Sequence, residues 1–401
     1  MAPRDRVSVA DYHKQAGGWR PAFDRVGLVL GAMAVAALAY LPFVTFRPNR
    51  IASGKGLSLL AASPSSVGAL GIGVLLAAVL LAVWRTPLAW RGFAAALGLG
   101  GLMVLIGLVP NHLVPPGNNF ARVSPSGGFW LLVLAFALLS ADTLAKLRPG
   151  PIFRVGALAA VAAAIALVLA SGWLSGLSPL KEYASHADTF WREAAKHVEL
   201  AFGSLGLAVV LGFPLGVACA RVDRLRNVTL PVLNVIQTVP SIAMYGLMMV
   251  PLGLLAARFS LLSDLGIRGI GTAPAVIALV LYSLLPVVAN TVLGLDQVPR
   301  AASDAARGMG MSAGQRLLRV ELPLALPVIL TGIRMVLVQN IGLVTVAALI
   351  GGGGLGSFVF QGIGQSAIDL VLLGAVPIIA LAFAAAVLLD AAVDLARRSR
   401  P

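Results

Sequence analysis

Cysteine is nearly absent from this chain, and negative charge is scarce. Cys219 stands alone, which excludes an intrachain disulfide and any cysteine-rich metal site. His13, His112, His186 and His197 are scattered without metal-ligand spacing, so no metal is expected. Charged residues make up only 11% of the 401 positions, against ~25% in soluble domains. No Gly-x-x-x-x-Gly-Lys-Ser/Thr stretch occurs, so the chain has no ATP-phosphate loop of its own. No His-x-x-x-His pair occurs either, and no catalytic set is assigned; an enzyme is not expected.

What is abundant is apolar. Hydrophobic residues reach 59%, against ~45–50% in soluble domains. That composition describes a polytopic membrane protein. The net charge of +14 then reflects inner-side Arg and Lys near anionic lipid rather than nucleic-acid binding.

The apolar runs predict an all-α fold of about ten membrane helices. They lie near 27–46, 67–84, 92–110, 128–145, 153–175, 197–220, 229–256, 273–295, 325–350 and 370–395, each close to the ~20 residues that cross a bilayer. Ala37-Leu38-Ala39 faintly suggests a cleavage site, but the polar lead before it is unlike a signal peptide. The expectation is an uncleaved first helix. With the N-terminus inside, twenty Lys/Arg fall on inner segments and nine on outer ones, with Arg334 inside the membrane. That asymmetry favours N-in, C-in.

The chain reads as a short inner segment (1–26), a five-helix region of no assigned role (27–175) and an external charged linker (176–196). A second five-helix region (197–396) and an inner tail (397–401) follow. Between the eighth and ninth helices lies a polar island, Asp304 to Pro323, on the predicted inner side. Ser303 is placed to cap a first short helix, with Asp304 in its first turn. Gly308 and Gly310 permit a tight turn. Ser312 and Gln315 have capping-box spacing for a second helix. Leu322, preceding Pro323, is expected to end it. Leu317, Leu318 and Val320 offer an apolar face to a partner groove.

Asp304-Ala305-Ala306, Gly310, Val320 and Leu322-Pro323 stand at the spacings of a known pattern. The stretch resembles the cytoplasmic coupling loop of bacterial ABC importer permeases. Gln237-Thr238-Val239-Pro240-Ser241, Tyr282 to Pro286, Asn290-Thr291 and the run Gly351-Gly352-Gly353-Gly354-Leu355-Gly356 resemble the osmoprotectant (glycine betaine, choline, carnitine) branch. Ala289 stands where that branch often carries Arg. The resemblance covers about 197–396. It implies a type I importer permease core in the bacterial inner membrane. It also implies a cytoplasmic ATPase carrying ATP and Mg, a periplasmic or lipid-anchored solute-binding protein, and a second permease chain, identical or homologous.

Pro240 and Pro286 interrupt apolar spans, and freed carbonyls in lipid need partners. Gln237, Thr238, Ser241, Tyr282, Asn290 and Thr291 lie nearby and are read as a polar path or gate, against the plainer alternative of hydrogen bonds between helices. Gly351, Gly353, Gly354 and Gly356 are read as a close-packing or flexing backbone at the outer end of that path. The embedded G-x-G-x-x-G is not a nucleotide site, because it follows a membrane helix rather than a strand. Arg334 needs a partner at membrane depth, with Glu321, Glu199 and Asp296 as candidates, or else it snorkels. Permeases for other small solutes such as amino acids stay open. A secondary transporter is less favoured, because the halves are dissimilar and intramembrane acids are few.

Overall fold

The computed structural model describes residues 23–398 apart from 50, 51, 116, 119 and 265. Most of the expected inner segment before residue 23, and the last residues of the tail, lie outside the described residues. The chain forms two compact units, Met1–Pro149 and Gly150–Pro401.

In the first unit, α1 (Arg25–Tyr40) is apolar but only 16 residues long. The expected span of 27–46 is therefore corrected. Leu41 precedes Pro42 and is extended, at φ −107° and ψ 145°, as the proline ring requires. Val44-Thr45-Phe46 then suits a strand better than a helix. β1 (Val44–Arg47) pairs antiparallel with β2 (Lys55–Leu57) and, after α2 (Leu59–Ala62), α3 (Ser65–Val83) and α4 (Leu88–Leu113), with β3 (Arg122–Pro125). Val44 faces both Leu57 and Pro125 in register. Among the described residues, this small sheet and an isolated bridge between Phe23 and Trp84 are the additions to the helical plan. α5 (Gly127–Leu147) packs on α1 and α4. Small residues let the helices approach closely: a Cβ on Gly27 would fall 2.0 Å from the Ala82 carbonyl oxygen.

Arg91 of α4 is buried at 3% exposure and needs compensation. Asp24, the N-cap of α1, meets it at 2.8 Å, and Asp142 at 2.9 Å. Lys146 closes the quartet, at 3.2 Å from Asp24 and 2.8 Å from Asp142. Burial resists charge on Asp24. Hydrogen bonds from Arg91, the Gly27 N–H and Lys146, with the Arg91 charge, outweigh it and hold the carboxyl far below the usual range.

The second unit begins with α6 (Pro151–Ala170), which packs on α16 (Ile368–Arg398) and is tied to it by the Arg154–Asp394 ion pair. By packing, α6 thus belongs with the second unit, which starts at Gly150. The expected linker 176–196 is not a separate segment. α7 (Ser178–Arg221) joins two helical stretches across a kink at His186 (φ −127°, ψ 20°), with Pro214 inside the second. The expected span 229–256 is two helices, α8 (Asp223–Thr238) and α9 (Ser241–Arg258), parted at Val239-Pro240. Pro240 cannot supply the N–H that would continue α8.

After the short α10 (Ser260–Asp264), α11 (Thr272–Asp296) forms the centre of the unit and packs against α7, α8, α9 and α14 (Leu322–Ala347). Thr291 of α11 sits against Gly216 of α7, where a Cβ would lie 2.6 Å away. Asn340 of α14 ties three helices. Its Nδ2 donates to Ser204 Oγ (3.0 Å), and its Oδ1 accepts from Ser283 Oγ (3.1 Å). All three side chains are fully buried. Among the described residues, nine helices are long and apolar enough to cross a membrane; α1 is the apolar helix that falls short.

Candidate functional site

The polar island folds as three pieces. α12 (Arg300–Gly308) opens at Pro299 without a side-chain cap. Ser303 is therefore not the cap expected for it. Its hydroxyl instead donates to Glu321 Oε1 at 3.1 Å. Gly310 turns the chain at φ +80°, a region only glycine enters cheaply. Ser312 caps α13 (Ala313–Arg316). Its Oγ accepts from Gln315 N–H, and Gln315 Oε1 accepts from Ser312 N–H at 2.9 Å, completing the expected box. Gly310 to Gly314 also has the letter spacing of a hydrolase nucleophile elbow. A helix rather than a strand leads into it, and the Ser312 hydroxyl is engaged in capping.

The second helix does not stop at Leu322. Leu317–Glu321 forms a π turn that runs directly into α14, with Leu322 itself helical at φ −64° and ψ −46°. The Leu322 N–H reaches back five residues to the Leu317 carbonyl. A π turn widens the helix just where the Pro323 ring would crowd the preceding turn, so the proline is carried rather than obeyed as a stop. Asp304, Ala305, Gly308, Gly310, Ser312, Gln315, Leu318 and Pro323 are exposed. Leu317, Val320 and Leu322 are half-buried, and Ala306 is buried. The apolar outer face is thus Leu318 with Met309, which sequence reading did not single out.

Glu321 is 5% exposed and accepts from three donors. Oε1 takes Ser303 and Arg316 Nε, the latter at 3.2 Å. Oε2 takes Arg221, the last residue of α7. Glu321 is therefore not the partner of Arg334. That partner is Asp390 of α16, and the candidates Asp296 and Glu199 pair with Arg226 and Lys196.

The structure brings the Pro240 break and α11 together. Gln237 Nε2 donates to the Tyr282 carbonyl at 3.2 Å, and the Tyr282 hydroxyl donates to the Val239 carbonyl. Thr238 is exposed and bonds its own helix at Val235; Ser241 is half-buried at the start of α9. Pro286 is buried within α11. Asn290 Nδ2 donates to the Pro286 carbonyl at 2.8 Å, and its side chain packs where a Cβ on Gly332 would fall. Thr291 donates to the Val287 carbonyl and is buried. Asn290 and Thr291 are thus engaged in helix packing, apart from the Gln237–Tyr282 contact.

The glycine run leaves α14 through a 3-10 turn at Ala348–Ile350 and enters α15 (Gly356–Gly364). Gly351, Gly353 and Gly354 all have φ between +77° and +90°. Gly356 lies against α14, where a Cβ would sit 2.1 Å from the Thr345 carbonyl oxygen. Two α7 residues hold this loop, and neither stood out in the sequence. Glu193 accepts the Gly354 N–H at 2.6 Å. His197, fully buried, uses Nε2 on the Ile341 carbonyl and lies beside Gly354. An isolated acid and histidine 161 and 157 positions before that glycine carry no local signal.

A family model for the binding-protein-dependent transport system inner membrane component matches residues 212–399. A second, for the N-terminal domain of the ABC transporter permease YehY, matches 24–180. The osmoprotectant import permease protein OsmW of Salmonella typhimurium is 46% identical over 187 residues, covering 47% of this chain and 82% of that protein. The chain belongs to the binding-protein-dependent transport permeases. The carnitine transport permease protein OpuCB of Listeria monocytogenes is 35% identical to this permease, over 47% of its length and 78% of the relative. The glycine betaine/proline betaine permease protein ProW of Escherichia coli is 34% identical, over 48% and 50%. Among solved structures, the inward-facing MetNI methionine ABC transporter aligns over 53% of the permease and 96% of its own chain, at 21% identity and a TM-score of 0.44. The permease is a multi-pass inner-membrane protein, and both expectations, an ABC importer permease and a helical membrane fold, hold.

Proposed function

We propose that this permease imports an osmoprotectant of the glycine betaine, choline or carnitine class. The observation that carries this reading is the 46% identity to a protein named for osmoprotectant import, over most of that protein's length. A separate cytoplasmic ATPase, holding ATP and Mg, would dock on the 304–323 segment. The exposed pair Met309 and Leu318 supports such a contact. A periplasmic or lipid-anchored binding protein would deliver solute to the outer face. A second permease chain, identical or homologous, would cover the exposed apolar stripe of Val228, Val232 and Val235 on α8 with Ile242 on α9. Gln237, Thr238, Pro240 and Ser241, at the break between α8 and α9, would then line the path between the two chains, with the glycine run as its outer gate.

A second reading is an amino acid or another small solute, favoured by Ala289 in place of the Arg often carried by the osmoprotectant branch. Reconstitution with the ATPase and binding protein in proteoliposomes separates the two. ATP-dependent uptake of labelled glycine betaine, choline or carnitine, competed by the other two, is expected. ATP-dependent uptake confined to amino acids would establish the second reading. Uptake driven by an ion gradient without ATP would overturn both.

A further inference from the structure

The carboxylate of Glu321 divides its two oxygens between the short helices α12 and α13 on one side and the end of α7 on the other. Oε1 receives only donors of the coupling segment, Ser303 on α12 and Arg316 on α13. Oε2 receives Arg221, where α7 ends. The carboxylate is 5% exposed and sits in the π turn that opens α14. A buried acid of this kind is held at a large desolvation cost, and only its hydrogen-bonded cations offset it. A displacement of α12 or α13 therefore acts on the same carboxylate that holds Arg221.

α7 carries such a displacement far. From Arg221 to Glu193 it spans 28 residues, about 40 Å at the α-helical rise. At that far end Glu193 holds the Gly354 N–H, in the run of positive-φ glycines. One helix is thus pinned by a carboxylate at each end: at the inner end to the coupling segment, at the outer end to the glycine run.

We propose that Glu321 is a positioning residue that passes movement of the coupling segment to α7, and through α7 and Glu193 to the outer glycine run. This rests on the reading of 304–323 as the ATPase contact. It adds which side chain transmits the movement and where it goes.

The test uses the full complex of permease, ATPase and binding protein in proteoliposomes. Glu321→Gln keeps the size of the side chain but leaves one acceptor oxygen, so it can serve α7 or the coupling segment but not both. The readouts are copurification of the ATPase, basal ATP hydrolysis, its stimulation by solute-loaded binding protein, and solute moved per ATP. Glu321→Gln is expected to retain the ATPase and basal hydrolysis within about twofold, while stimulation and solute per ATP fall about tenfold or more. Arg221 is partly exposed, so Arg221→Ala gives a variant that folds if Glu321→Gln does not. It should show the same uncoupling, Arg221→Lys should recover a substantial part, and the double variant should be no worse than either single. Native solute per ATP in Arg221→Ala would overturn the proposal. So would loss of the ATPase from Glu321→Gln while the wild type retains it, which would make Glu321 a docking residue. Absence of an ATPase from the wild type itself would instead overturn the coupling-segment reading beneath it.

Discussion

The Tyr282 hydroxyl donates to the main-chain carbonyl of Val239, directly before the proline that parts α8 from α9. Gln237 returns the contact by donating to the Tyr282 carbonyl. A helix break within an apolar span leaves carbonyls without partners, and here α11 supplies one. Tyr282→Phe removes that donor with little change of shape. The bond is half-buried, and its net loss costs about 0.5–1.5 kcal/mol. The variant should unfold at a lower temperature in detergent than the wild type, and Gln237→Leu should add little to it because the two bonds secure one junction. Unchanged melting of Tyr282→Phe would mean that the break is held by packing alone.

Gly310 is the turn of the 304–323 segment, and a Cβ there would meet nothing within 4 Å. The penalty of Gly310→Ala is therefore purely conformational, roughly 1–2 kcal/mol for an L side chain at positive φ. The expected outcome is weakened ATPase copurification with normal membrane insertion. Gly310→Pro should abolish copurification, since proline cannot adopt φ +80° at all. Full retention of the ATPase by Gly310→Pro would show that the turn is not part of the contact.

Gly356 and Gly342 make a matched pair on neighbouring elements. At Gly356 a Cβ would lie 2.1 Å from a backbone oxygen of α14, whereas at Gly342, inside α14, it would meet nothing. Gly356→Ala should cost about 3 kcal/mol, the upper part of the overpacking range, because backbone must move. Gly342→Ala should gain up to about 1 kcal/mol from helix propensity within this chain. Thermal unfolding of the two purified variants checks the order, and a reversed order would contradict the close approach of α15 to α14.

Asp24 gives the first unit a pH dependence. Its carboxyl titrates far below the unfolded value of 3.8, so its contribution is complete above that value and is lost as pH falls below it. Asp24→Asn should lower stability at pH 7 by about 2 kcal/mol, the order of a charge-assisted hydrogen bond. The difference from wild type should shrink as pH is taken below 4. Melting curves of both proteins from pH 7 to pH 3 test this; a gap independent of pH would assign the effect to the helix cap alone.

What the sequence determined was local or periodic. Apolar runs placed nearly all the membrane helices, because length and composition alone meet the bilayer's demand. The Ser312–Gln315 box and the Gly310 turn were legible because capping and turn chemistry act within four residues. Tertiary structure decided the rest. Arg334 pairs with Asp390, while Glu321 is held by Arg221 and Arg316, Asp296 by Arg226 and Glu199 by Lys196. Leu322-Pro323 failed to stop a helix because a π turn opened room for the ring. Asn290 turned to its own helix because Gly332 drew α14 against it. Glu193 and Gly354, 161 positions apart, met because α7 runs on as one helix past its membrane span. Such pairings depend on which helices pack together, and no spacing within the chain encodes that by itself.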